Sequence, residues 1–175
     1  DLFYTRKDDI TPDSEAAEIY RKYEEELAPI LGEVIGEAAE SFTHEEDNVT
    51  LLGRWACQAM KDKAKADIAI TNGGGLRRTL EKGTITMGDL YEIMPFDNYL
   101  VTFDLKGADV KKAIDHGILN PEVRDGQFIG LKVEYDENAE FENRITNITL
   151  DDGTPLDMNK EYKVVINDFM LTGGD

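Results

Sequence analysis

A chain of 175 residues, 41% hydrophobic and 32% charged, is long enough for one globular domain with its own core and too short for two full ones. With 37 Asp and Glu against 19 Lys and Arg, its formal net charge of -18 opposes general binding to nucleic-acid phosphates or to an anionic membrane surface, so any anionic ligand must be held by a local arrangement. No apolar run is long enough to span a bilayer, and no targeting segment is visible.

In chain order, TPDSEAAEIYRKYEEELAP carries helix start signals at Asp13 and Ser14 and places Ile19, Tyr20, Tyr23 and Leu27 at helical spacing up to Pro29. This predicts a leading helix within residues 1–28, with an acidic outer face. The next stretch, ILGEVIGEAAESF, is ambiguous, because its glycines weaken a helix while its apolar residues do not alternate cleanly. Asn48 is placed to cap a second helix on which Leu51, Leu52, Trp55, Ala59 and Met60 form one apolar stripe. The single cysteine, Cys57, lies on that helix, reads as buried, and excludes an internal disulfide.

ADIAIT predicts a short buried strand, followed by a turn at NGGGLRR. TMGDLYEIM predicts a short helix ending before Pro95, NYLVTFDLKG a strand, GADVKKAIDHGIL a helix and FIGLKVEYD a strand. ITNITLDDGTPL reads as two extended pieces around an Asp152-Gly153 turn, and EYKVVINDF as a closing strand. With no linker, internal repeat or low-complexity tract, residues 1–175 read as a single α+β domain, a mixed sheet with flanking helices. The first residues, DLFYT, and the last, TGGD, give the chain the look of a fragment, one from which a signal could have been lost.

The chemistry centres on NGGGLRR. Consecutive glycines after a strand allow positive φ and let backbone N–H groups converge on an anion, while Asn72 offers an amide and Arg77 a planar fork for phosphate or ribose oxygens. The spacing fits neither the dinucleotide fingerprint nor the Walker loop, so a tight turn with surface arginines stands beside the anion-facing reading. Elsewhere, THEED at Thr43 to Asp47 reads as a solvated charged loop, and His116 near the end of its helix suits the helix dipole. No Ser-His-Asp or Cys-His arrangement is complete. Two phenylalanines, Phe96 in MPFDN and Phe169 in NDFMLTGGD, lie beside turns with Asn and Asp nearby, a setting that suits either core packing or stacking on a flat base.

TNGGGLR, then GTITMGDLYEIMPFDN, then NDFMLTGGD, in that order and at this separation, resemble the C-terminal domain of the 5'-nucleotidase family, which includes bacterial UDP-sugar hydrolases and cyclic-nucleotide phosphodiesterases. The resemblance covers nearly the whole chain. It implies a division of labour in which an N-terminal metallophosphoesterase domain of the same polypeptide carries two divalent metal ions and the nucleophilic water. The C-terminal domain then grips the nucleoside and presents the phosphate. On that resemblance Phe96 and Phe169 match the aromatics that sandwich the base, Asn98 a polar contact to the base edge, and Asp175 the acid that accepts from ribose hydroxyls. Asn72 and Arg77 match groups near the ribose and phosphate, Gly74 belongs to the same substrate-binding loop, and Gly126 matches a backbone contact to the base.

This chain is thus expected to carry no cofactor, no metal ligand and no catalytic residue of its own, and to bind a nucleoside or nucleotide. No partnership with nucleic acid and no membrane span is expected. The resemblance further implies an exported protein, periplasmic, extracellular or at the cell surface. The chain departs from the family where many members carry arginine before the LG helix; here the stretch reads SFTHEEDNVTLLG, with Phe42 and Glu46 in those places. Arg77 is left as the main cation, and Arg78 has no assigned role. A non-catalytic nucleotide-binding module, and a structural module that has lost its ligand, remain as alternatives.

Overall fold

The computed structural model describes residues 11–44, 49–123 and 125–175, and the Asn48 cap and Glu46 lie outside them. Helix α1 spans Ser14–Leu31, and the Asp13 carboxylate accepts from the backbone N–H groups of Glu15 and Ala16 at 3.1 and 3.0 Å. The helix runs through Pro29 rather than stopping there. Only two residues follow the proline, so little helix remains to be disrupted, and Gly32 closes the end by donating to the Ala28 carbonyl at 2.9 Å. No residue of α1 is buried, and its stripe of Ile19, Tyr23, Leu27 and Ile30 stays between 44% and 57% exposed.

The ambiguous stretch resolves into strand β1, Val34–Ala38, which pairs antiparallel with β3, Gly83–Thr86. Helix α2, Leu51–Ala64, is capped by Thr50, whose hydroxyl accepts from Gly53 N–H at 2.9 Å. Its buried face is Leu52, Ala56, Cys57 and Met60, whereas Leu51, Trp55 and Ala59 of the expected stripe are exposed. Close approach to the sheet decides this: a side chain at Gly53 would overlap the buried Gln127, so the packed face carries small residues.

The main sheet has the order β4, β8, β2, β5, formed by Leu100–Lys106, Glu161–Asn167, Ile68–Thr71 and Gln127–Ile129. Alternation along β2 and β8 sends Ile68, Ile70, Val164 and Ile166 to one face, against Val110 and Ile114 of α4, Gly107–Gly117. It sends Ala69 and Val165 to the other face, against Cys57 and Met60 of α2. A helix therefore covers each side, which explains why all four residues of β2 are buried. The expected single strand FIGLKVEYD divides at Gly130, whose φ of +98° turns the chain out of the main sheet. Its second half, β6 (Leu131–Tyr135), forms a hairpin with β7 (Ile145–Leu150). Between β3 and β4 lies α3, Met87–Ile93, opened by a capping box between Thr86 and Asp89; after β8 the chain makes one more turn of helix, α5, Asp168–Leu171.

Candidate functional site

Strand direction brings three distant stretches of sequence to one end of the main sheet. β2 and β8 lie side by side and parallel, with Ile68 opposite Val164, so both leave the sheet at the same edge. β4 runs antiparallel to β8 and pairs Leu100 with Asn167, so it enters at that edge. NGGGLRR after β2, MPFDNY before β4 and DFMLTGGD after β8 must therefore meet.

The glycine loop is a single turn of 3-10 helix, Gly73–Gly75, and none of these glycines has a positive φ. Gly75 N–H bonds Asn72 O at 3.2 Å and Leu76 N–H bonds Gly73 O at 3.1 Å, so two amides that an anion cradle would use are engaged within the turn. The glycines serve close approach instead: a Cβ on Gly74 would stand 3.3 Å from the Asp175 carboxylate, and one on Gly75 would stand 3.0 Å from the Asn72 side-chain oxygen. Beneath the loop runs a chain of side-chain bonds. Asn167 Nδ2 donates to Thr71 Oγ1 at 3.1 Å and to Asn72 Oδ1 at 2.8 Å, and Asn72 Nδ2 donates to Asp175 Oδ2 at 2.7 Å. Asn72 and Asn167 are each 6% exposed, so this network satisfies amides that burial would otherwise penalise.

The final segment is shaped by its own residues. Asn167 Oδ1 accepts from Met170 N–H at 2.9 Å and caps α5. Gly173, with φ of +90°, reverses the chain, and Asp175 follows in the left-handed region at φ 58°. Gly174 lies against the Phe169 ring so closely that any side chain there would overlap it. Asp168 joins this segment to the loop bearing Phe96, because its Oδ1 accepts from Tyr99 N–H at 3.1 Å and its own N–H donates to Tyr99 O at 3.0 Å.

These stretches enclose a cavity of about 550 Å³. Of the eight residues singled out from the sequence, seven line it: Asn72, Gly74, Arg77, Phe96, Asn98, Phe169 and Asp175. Phe96 and Phe169 are 55% and 45% exposed, unusual for residues that normally fill cores. Arg77 is exposed, and its guanidinium rests 3.3 Å from Gly74 O. Gly126 lies apart, in a small adjoining hollow that Asn72 and Asp175 also line, and its N–H donates to Gly117 O at 2.9 Å.

The sequence reading missed His44, Leu76 and Val123, which also line the cavity, and the supporting Asn167 and Asp168. Asn167 and Asp168 stand inside NDFMLTGGD, where their tight grouping with the glycines was the available signal. Phe42 packs against a second core cluster, which includes Leu52, Leu76, Leu80, Ile85 and Ile93, and does not line the cavity. Arg78 pairs with Glu92 of α3, both side chains more than half exposed, which gives it a surface role. Burial pushes the Cys57 thiol up to about 12, away from the reactive thiolate form. Among the described residues, no three His, Cys, Asp or Glu side chains group as a metal site.

The family model for the 5'-nucleotidase C-terminal domain matches residues 34–175. The chain is 34% identical over 174 residues to Endonuclease YhcR of Bacillus subtilis, covering 98% of this chain and 14% of that protein. It is 29% identical over 181 residues to Protein UshA of Yersinia enterocolitica, covering 99% of this chain and 31% of that protein. The fold superposes on the 5'-nucleotidase precursor from Thermus thermophilus with a TM-score of 0.82 at 31% identity, covering 95% of this chain and 36% of that one. The chain thus spans a third or less of the length of these curated relatives. A matching family model over four-fifths of its length and a shared fold agree with the three ordered motifs: the chain belongs to the 5'-nucleotidase C-terminal domain family.

Proposed function

We propose that this chain is the nucleoside-gripping domain of a two-metal 5'-nucleotidase-like phosphohydrolase, and that it presents the ligand's phosphate to a separate catalytic domain. The observation that carries the reading is the common cavity: seven residues from three distant stretches, including two half-exposed phenylalanines, line one space of about 550 Å³. That volume lies inside the roughly 300–1,000 Å³ range of small-molecule sites.

The proposed roles follow from the side chains. Phe96 and Phe169 stack on the base, each contributing about 1–3 kcal/mol and tolerating different bases. Asn98 bonds the base edge. Asp175 has Oδ2 oriented by Asn72 and uses the acceptor capacity of its carboxylate for the ribose hydroxyls. Arg77 gives a charge-assisted contact to the phosphate, which matters in a chain of net charge -18. Bond cleavage belongs to the catalytic domain, whose two metal ions activate water. The apolar stripe of α1, exposed among the described residues, supports such a partner.

Export to the periplasm, cell surface or medium is part of the same reading. One relative is named Cell wall protein Lmo0130, from Listeria monocytogenes, and no helix among the described residues is long and apolar enough to cross a membrane. Titration calorimetry with a panel of nucleosides and nucleotides tests the reading. Saturable binding of several bases without phosphate release is expected; a flat response across the panel, or turnover by the purified chain alone, contradicts it.

A further inference from the structure

We infer that His44 is a second contact for the anionic part of the ligand, acting beside Arg77 and setting a preference for a nucleotide over its parent nucleoside. The inference rests on the nucleoside-binding reading above and deepens it. Charge creates the need. In a chain of net charge -18, a phosphate must be held by local donors, and Arg77 is the one Lys or Arg among the described residues that line the cavity.

His44 is brought to that place by a continuous set of bonds. Ser41 Oγ donates to Glu81 at 2.9 Å and accepts from Lys82 N–H at 3.0 Å. Phe42 and Leu80 exchange backbone bonds at 2.8 and 3.0 Å, and the Phe42 ring packs into the second core cluster. His44 Nδ1 then meets Thr79 Oγ1 at 3.1 Å. The stretch from Ser41 to His44 therefore runs along residues 79–82, directly after the glycine loop, in the direction that delivers the imidazole to the cavity two residues from Arg77. Phe42 packs into the core, while His44, two residues further on, lines the cavity. An imidazole N–H donates to a phosphoryl oxygen, and a second donor on one phosphate adds directional selectivity that a single exposed guanidinium lacks.

The test compares a nucleoside with its 5'-monophosphate on three proteins: the wild type, His44→Ala and His44→Gln, each checked for an unchanged melting transition. Gln keeps a polar group near Thr79 and guards against a local packing defect. The expected result is an unchanged affinity for the nucleoside and a drop of about tenfold in the nucleotide preference of His44→Ala, the size of one hydrogen bond to a charged group. His44→Gln should fall between the two. If the nucleotide preference is the same in all three proteins, His44 does not contact the phosphate and the inference fails while the nucleoside site stands. If the wild type binds neither ligand, the site reading itself fails and takes this inference with it.

Discussion

The floor of the cavity and the side chains that rise from it are held by different forces. The floor is a chain of side-chain bonds from Asn167 to Asn72 to the exposed Asp175 carboxylate, which satisfies two buried amides that water cannot easily reach. Phe96, Phe169 and Arg77 are exposed, and the fold gains little from burying them. Stability and binding separate along that line. Damage to the floor should lower both, and damage to the exposed side chains should lower binding alone.

The largest effect is expected from Asn72→Ala. It strips one acceptor from the buried Asn167 amide and releases the Asp175 carboxylate, so stability should fall by about 1–3 kcal/mol in denaturant titrations, with ligand binding weakened as well. Next is Gly174→Ala, whose methyl would overlap the Phe169 ring and turn it out of place. Its expected signature is weakened nucleoside binding with a melting temperature close to that of the wild type. A large loss of stability would show instead that the ring belongs to the core.

Asp89→Ala should do the reverse and lower stability without touching binding. Bonds from the Thr86 hydroxyl and backbone N–H, at 2.7 and 2.8 Å, hold the Asp89 carboxyl below its ordinary value of 3.8. A carboxyl lowered on folding contributes stability above that ordinary value and loses it as the pH falls through the folded one. The gap in melting temperature between wild type and Asp89→Ala should therefore be open at pH 7 and narrow below about pH 4. The smallest effect belongs to Arg78→Ala: its partner Glu92 is also exposed, so stability should change by less than about 1 kcal/mol and ligand binding not at all.

Much of this arrangement was legible in the sequence where local chemistry decides it. DIAIT reads as a buried strand because it is short, apolar and bounded, and TMGDLYEI reads as a helix, whose start the structure shows to be a capping box of Thr86 and Asp89. Cys57 reads as buried and is, but the stripe on α2 differs because Ala56, small enough to approach the sheet, stands out less in the pattern than Trp55, which stays outside. Pro29 and Gly130 were misjudged in opposite senses: the proline falls too near a helix end to break it, and the glycine's positive φ divides one apparent strand between two sheets. At the site, motif order pointed to the residues, but their meeting depends on β2 and β8 being parallel, which no local pattern encodes. His44 stayed hidden in an acidic run, because its pairing with Thr79, 35 residues further on, is not encoded in any local pattern.

Whether two exposed phenylalanines grip a base is decided by calorimetric titration of one tight-binding nucleoside into the wild type, Phe96→Ala and Phe169→Ala. Each substitution is predicted to weaken binding by about 1–3 kcal/mol, roughly five- to 150-fold, with the melting transition preserved. Wild-type affinity in both variants would contradict the clamp.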